Sequence, residues 1–260
     1  MRNCFQAKVL AKYQAQYEVC DECGYLHAHD PVWLEEAYSR AIANADTGLV
    51  SRNFTLANKL ARVLYWLSPE HGQGLYLDSA GGYGILTRLM RDYGFNFYWA
   101  DKYCENLVAP EFEYNQALGT CSAVTAIEVF EHLVDPKAFI KEIFDLSGAK
   151  TLIFTTVLYE GDPPQPDNWW YYSFATGQHI GFFQHRTLRK LATDLGLKFS
   201  SANGLHIFSV KPINQFKLRL LTNRYISIFP PFLIRLFLGT KMVSDHEMII
   251  KKIVVMDEAN

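Results

Sequence analysis

An α/β fold with a mostly parallel sheet, covered on both faces by helices, is what the 260-residue sequence predicts. Three observations carry it. From residue 75 short apolar runs alternate with helix-like runs, the pattern of right-handed crossovers between parallel strands. Before them, Leu56, Leu60, Val63, Leu64 and Leu67 recur at the helical period. After them, KFSSANGLHIFSV (198–210) reads as two strands around Asn203-Gly204, so a C-terminal hairpin finishes the sheet.

In chain order, residues 1–31 form a short β-like, turn-rich segment that holds Cys4, Cys20 and Cys23 and ends at Asp30-Pro31. CDECG (20–24) is half of a zinc ribbon, whose partner half would end some ~15 to 20 residues earlier. Cys4 stands where the partner's second cysteine belongs, and the first would fall at Met1. Zinc on Cys4, Cys20 and Cys23 is therefore expected only if the missing ligand lies upstream or is replaced by His27 or His29; a vestigial hairpin is the alternative. Residues 32–67 read as helical, closed by Pro69. LYLD (75–78), FNFYWAD (95–101), SAVTAIE (122–128) and TLIFTTV (151–157) are the candidate parallel strands. The second and fourth lead into loops, and the helix HRTLRKLATDLG (185–196) precedes the hairpin. The organisation expected is a knuckle-like segment (1–31), a main domain (32–210) and a basic, apolar extension (211–260).

Composition narrows the function. The chain is 49% hydrophobic, enough for a sizeable core, and its net charge of -2 argues against bulk nucleic-acid binding. The start, MRNCFQAKVLAKYQ, lacks an apolar signal region. No run reaches the roughly 18 apolar residues of a membrane span. YISIFPPFLIRLFLG (225–239) comes nearest, interrupted by Pro230, Pro231 and Arg235, and peripheral membrane contact is the most it suggests. Five cysteines without a secretory signal read as reduced thiols or metal ligands, and the expected location is cytoplasmic.

LDSAGGYG (77–84) places Asp78 at the end of the first strand of the alternation and Gly81, Gly82 and Gly84 on the turn into a helix. Glycines there let a ligand approach the backbone. A D-x-G-x-G-x-G spacing fits with Ala80 in the first glycine position, a substitution compatible with a negative φ at residue 80. Asp101 ends the next strand, where a carboxylate can accept hydrogen bonds from both ribose hydroxyls of an adenosine cofactor. An ordinary glycine turn and a helix-capping Asp are the bland alternatives.

With WAD, TAIEVFEHLVDP (125–136) and QHIGFFQHRTLRKLATDLG (178–196), residues 75–199 resemble the class I S-adenosylmethionine (SAM) methyltransferases. The resemblance implies a Rossmann-like fold with a seven-stranded, mostly parallel sheet. It also implies a cofactor held by Asp78, Ser79, Ala80, Gly82, Gly84, Asp101 and Glu128. The start of the chain, through WLEEAYS, resembles a subgroup associated with glycan or sugar modification. Ser122 departs from the family, which usually has Asp at the opening of that strand.

Methyl transfer from a sulfonium is an in-line displacement, and a hydroxyl acceptor must also lose its proton. Glu128 closes a strand at the cleft. If a helical turn follows, Glu131 and His132 lie at i+3 and i+4 on the same side. With His179 they would make a divalent site for Mg²⁺ or Mn²⁺ from Glu128, Glu131, His132 and His179. This E-x-x-E-H pattern resembles the metal quartet of small-RNA 2′-O-methyltransferases and recurs in ubiquinone-pathway O-methyltransferases. Without metal, His179 is a candidate general base, and Glu131 and His132 face the acceptor. A structural pair that orients the loop is the competing reading. The loop 162–179, with Trp169, Trp170, Tyr171 and Tyr172, would form either a stacking wall for the acceptor or packing for the loop itself. The function implied is methyl transfer to a small molecule or glycan, a sugar hydroxyl preferred. A sugar C-methyltransferase and a catalytically silent SAM-binding scaffold in glycan assembly are the alternatives.

Overall fold

In the computed structural model, residues 1–38, 46–68, 70–223, 225 and 231–258 are described. The expected helix over 32–67 is seen as two pieces, α1 (Leu34–Ala37) and α2 (Leu49–Leu67); residues 39–45 and Pro69 lie outside the described residues. Before them come β1 (Arg2–Val9), β2 (Tyr13–Val19) and β3 (Leu26–Ala28). The alternation follows as β4 (Leu75–Ser79), α3 (Ile85–Asp92), β5 (Asn96–Ala100), β6 (Ala123–Ile127), α4 (Pro136–Ser147) and β7 (Thr151–Thr155). Then come β8 (Gly181–Phe182), α5 (His185–Asp194), β9 (Lys198–Ala202), β10 (Leu205–Ser209), α6 (Gln215–Thr222), α7 (Pro231–Leu238) and α8 (Met242–Glu258).

The main sheet has the order β5-β4-β6-β7-β10-β9, with β5, β4, β6 and β7 parallel and β10 antiparallel to both neighbours. The hairpin is the one expected: Asn203 and Gly204 have φ of 50° and 77°, the pair of left-handed residues that a two-residue turn needs. Six strands pair here among the described residues, one fewer than the sevenfold expectation. The segment after β5 makes a single parallel bridge, Trp99 to Glu113, where a seventh strand would lie. With only that bridge the backbone runs as loop and turn, and no strand forms.

Central strands buried on both faces read as continuous apolar runs. All five residues of β10 are buried, as are four of the five in β6. Leu60 and Leu64 of α2, Leu86 and Met90 of α3, Leu218 of α6 and Ile234 of α7 cover one face. Ile140 and Ile143 of α4 and Leu188 and Ala192 of α5 cover the other. The Asp-Pro that ends TAIEVFEHLVDP starts α4: the Asp135 carboxylate accepts from the backbone N–H groups of Lys137 and Ala138, with Pro136 in the first turn. At the far end, the Arg91 guanidinium of α3 grips the Asp245 carboxylate of α8 at 2.7 and 2.8 Å, fixing the extension against the helix that follows the glycine-rich turn.

The N-terminal strands form a second sheet, β1-β2-β3-β8, in which β8 from the main part of the chain pairs with β3. Its core includes Tyr17, Trp33, Tyr171, Tyr172 and Phe182. The aromatic loop therefore packs: Tyr171 and Tyr172 are buried, Trp169 is partly buried against this core, and Trp170 is 80% exposed. Three of the four aromatics thus serve the loop's own packing, and Trp170 alone among them stays exposed.

The zinc expectation fails on register. β1 and β2 pair Arg2 with Val19, so Cys20 lies one residue beyond the last pair, while Cys4 falls at the irregularity between the Asn3–Glu18 and Phe5–Tyr17 pairs, two to three residues back along the ladder. At ~3.4 Å per residue that is roughly 7 to 10 Å along the strands, before the gap between them is added. Among the described residues, Cys4, Cys20 and Cys23 do not belong to any group of three ligand atoms close enough to hold a metal. His27 turns its Nδ1 to the Ala28 carbonyl, and His29 lies 3.4 Å from Glu18. All five thiols are free. Among the described residues no helix is long and apolar enough to cross a membrane. Residues 226–230 of the suggested membrane-contact stretch lie outside the described residues.

Candidate functional site

The strand order reverses at β4: β5 lies to one side of it, β6 and β7 to the other. In open α/β sheets ligands bind outside the carboxyl ends of the strands at such a switch point. That is where the glycine loop lies. Gly84 has φ +84° and precedes α3, and a Cβ there would collide with Asn106 Oδ1. At Gly81 a Cβ would fall 2.7 Å from the Trp99 ring and 2.9 Å from Asp78 Oδ2, so only glycine lets the backbone pass.

Ala80 corrects one expectation. Its φ is +56°, not negative, so the alanine sits in the left-handed region at a cost of ~1 to 2 kcal/mol. Ala80→Gly is expected to stabilise the chain by about 1 kcal/mol, read as a raised urea midpoint at unchanged slope.

Asp101 and the loop come together as expected. Its Oδ2 accepts from the Gly82 N–H at 2.9 Å, and its Oδ1 accepts from the N–H groups of Tyr103 and Cys104 at 2.7 and 2.9 Å. Trp99 Nε1 donates to the Gly82 carbonyl, pinning the loop from below. Asp78 is buried, and its Oδ1 accepts from Thr125 Oγ1 at 2.7 Å. Burial pushes its pKa up to about 7, with the Asp101 charge adding to the rise against the two threonine hydrogen bonds. Ser79 ends β4 and is buried.

Beside this cleft, Glu128, Glu131 and His132 are not stacked on one helical face. Glu128 has φ +55°, a strained tip that breaks the helical spacing, and residues 130–132 form a separate 3-10 turn. The Glu128 side chain turns to Thr155 Oγ1 at 3.2 Å and lies 3.9 Å from Arg52. Burial, then the neighbouring Glu131 charge, raises its pKa. It is not one of the close ligand atoms, which corrects the expected quartet to a trio: Glu131, His132 and His179, each offering an atom within 4.8 Å of the others.

The chemistry of the trio follows from its partners. His132 Nδ1 lies 3.0 Å from the Gln178 carbonyl and His179 Nδ1 lies 2.6 Å from the Tyr171 carbonyl. A carbonyl only accepts, so each Nδ1 carries the proton and each Nε2 keeps its lone pair. Burial, with the His179 charge second, pushes the His132 pKa down to about 3, so that ring stays neutral. Glu131 is fully buried, and its Oε1 accepts from Tyr171 Oη at 2.6 Å while Oε2 has no hydrogen-bond partner. Two imidazoles and a buried carboxylate with one unpartnered oxygen thus bring three ligand groups together. That is a donor set a divalent cation fits, with the far nitrogens already oriented by carbonyls.

An open cavity of about 780 Å³ with a mixed, mostly apolar lining lies at the same strand ends, separated from the trio by Thr156 and Tyr171, within the usual size of a small-molecule site. Glu128, Thr155 and Thr156 form its wall on the strand side; His185, Asn203, His206 and Arg219 line the remainder. The sequence reading took Tyr171 only as a wall or packing aromatic; its bond to Glu131, Gln178 and the carbonyls that fix the histidines escaped it. The length and aromatic content of their loop were the one available signal.

A family model described as a methyltransferase domain matches residues 52–202, more than half of the chain. No curated protein matches it. Among solved structures, TnmH is 15% identical, covering 70% of this chain and 62% of that one at a TM-score of 0.46. This chain thus spans under two thirds of TnmH's length. Magnesium protoporphyrin IX methyltransferase (ChlM) from Synechocystis, with bound SAM, is 15% identical over 67% of this chain and 88% of that one, TM-score 0.37. An O-methyltransferase family 2 protein from Planctomyces limnophilus, in complex with apigenin, is 16% identical over 66% and 64%, TM-score 0.42.

Proposed function

The chain belongs to the methyltransferase-domain family, whose class I members use SAM, and from that premise we propose that it methylates a hydroxyl of a polar small molecule, a sugar by preference. The observation that carries this reading is the connection between trio and cavity. Thr156 lines the cavity, its Oγ1 lies 3.2 Å from Tyr171 Oη, and that phenol bonds to Glu131. An acceptor in the cavity would thus lie beside the groups able to take its proton, with the cofactor loop at the adjoining strand ends.

In this reading the backbone of 80–84 and the Asp101 carboxylate hold the cofactor. Three backbone donors already occupy that carboxylate, so a ribose diol would take over from Gly82. Glu131, His132 and His179 would hold Mg²⁺ or Mn²⁺. When bound, such an ion supplies Lewis-acid polarisation of the acceptor oxygen and lowers its pKa. The chain's own contribution is to fix two imidazoles by their Nδ1 hydrogen bonds beside one carboxylate and to exclude water from Glu131. The preference for a sugar hydroxyl and the glycan setting both rest on the sequence resemblance alone.

Calorimetric titration tests the cofactor half. Wild-type protein should bind SAM, and Asp101→Ala should bind it about 10- to 100-fold more weakly, the loss expected from one charged hydrogen-bonding group. Equal affinity would remove Asp101 from the site. For the chemical half, release of S-adenosylhomocysteine is followed with a panel of sugars and sugar phosphates. SAM binding without turnover on any of them would favour the scaffold reading. Turnover in EDTA, unchanged by added Mg²⁺ or Mn²⁺, would leave His179 as a metal-free base.

A further inference from the structure

We propose that Tyr171 is the positioning residue of the Glu131–His132–His179 trio, holding two of its three members and tying them to the acceptor cavity; the inference rests on the divalent-ion reading of that trio. Its phenol is saturated in one way only. A tyrosine hydroxyl has one proton and two lone pairs. The Val157 N–H donates to Tyr171 Oη at 3.1 Å, and Thr156 Oγ1 lies 3.2 Å away in position to donate as well. Both lone pairs are then used, and the proton goes to Glu131 Oε1 at 2.6 Å.

That bond selects which carboxylate oxygen is free. Oε1 is engaged, and Oε2, buried and without a hydrogen-bond partner, is left for the cation. The same residue acts a second time through its backbone, because its carbonyl takes the His179 Nδ1 proton and so presents the Nε2 lone pair. Tyr171 therefore sets the free atom of one ligand with its side chain and of another with its main chain. The Tyr171 ring is held among Trp169, Trp170 and Phe182, so the phenol cannot swing away from the strand end. Thr156 and Val157, which orient the phenol, are themselves cavity residues, and this gives the trio a fixed distance from the acceptor wall.

Phenylalanine at 171 keeps the ring and the carbonyl and removes only the hydroxyl. Free Mn²⁺ is followed by electron paramagnetic resonance during titration of wild type, Tyr171→Phe, Thr156→Val and Glu131→Gln, each checked by circular dichroism and by SAM affinity. The expected result is Mn²⁺ affinity about 10- to 100-fold lower in Tyr171→Phe, the range for loss of a partner that orients a metal ligand, with SAM affinity unchanged. Glu131→Gln should lose Mn²⁺ binding altogether. Wild-type Mn²⁺ affinity in Tyr171→Phe, beside loss in Glu131→Gln, overturns the proposal while the ion site stands. No Mn²⁺ binding by the wild-type chain overturns the ion site and this inference together. Should Tyr171→Phe not fold, Thr156→Val decides: a several-fold weaker Mn²⁺ site supports the proposal, and an unchanged one overturns it.

Discussion

His179→Ala should lower methyl transfer by about 10²- to 10⁴-fold while SAM affinity stays within about twofold of wild type. The expectation follows from where the ring stands. His179 packs edge-on against His132, with ring centroids 4.8 Å apart, and its Nδ1 proton is committed to the Tyr171 carbonyl. That leaves Nε2 as the nitrogen able to act in the cluster with Glu131. Among the described residues His179 makes no hydrogen bond to the glycine loop or to Asp101, whose partners are Gly82, Tyr103 and Cys104. Removing the imidazole should therefore spare the cofactor and damage proton removal from the acceptor. Glutamine or asparagine would not restore it, since an amide is too weak a base. Exogenous imidazole is expected to rescue part of the activity if His179 acts as the base itself, and none of it if the residue serves to hold an ion. An activity that stays within threefold of wild type would place the chemistry elsewhere in the cleft.

Elements whose local chemistry and global role agree were legible in the sequence. The parallel strands, the Asp-Pro start of α4 and the Asn203-Gly204 turn all state their conformation in a few residues. The pairing of Asp101 with the loop was legible for the same reason: both end adjacent parallel strands. Legibility failed wherever a backbone departed from its common region. Ala80 and Glu128 both take positive φ, which neither residue type advertises. Glu128 was grouped with Glu131 and His132 by counting along a helix that does not start until Pro136. The zinc expectation counted cysteines along the chain, whereas the β1–β2 register decides which of them meet. Tyr171 could not be found by spacing at all. It approaches the trio because the loop folds onto a second sheet built from the N-terminal strands and β8.

Asp78→Asn is expected to raise stability at pH 8 by on the order of 4 kcal/mol, leave it nearly unchanged at pH 4, and weaken SAM binding. The folded-state pKa of Asp78 is raised, from 3.8 to about 7, chiefly by burial. Below pH 4 the carboxyl is protonated in both folded and unfolded chains, and its burial carries no charge penalty. Between pH 4 and 7 the unfolded chain ionises it while the folded chain holds the proton. The group's contribution to stability therefore falls as pH rises through that window, and is flat above it. A shift of about 3 units at 1.36 kcal/mol each gives the figure of about 4 kcal/mol. Asparagine is close in shape and keeps an oxygen for the Thr125 hydroxyl at 2.7 Å, so no other large cost enters. A carboxylate kept under such strain at the end of β4 calls for a cationic ligand. Gly81 leaves space beside its Oδ2, where a Cβ would stand 2.9 Å away and where the Thr87 hydroxyl at 3.4 Å is the one long hydrogen bond, and the ammonium and sulfonium of SAM both carry positive charge. Denaturant unfolding across pH 4 to 8 reads the first effect, and calorimetry with SAM at pH 8 the second. General damage to the fold lowers both stability and affinity, so a variant that gains stability while losing SAM isolates the charge of Asp78 as the cause. A stability difference that does not change with pH would mean the carboxyl is ionised freely and is not held for a cation.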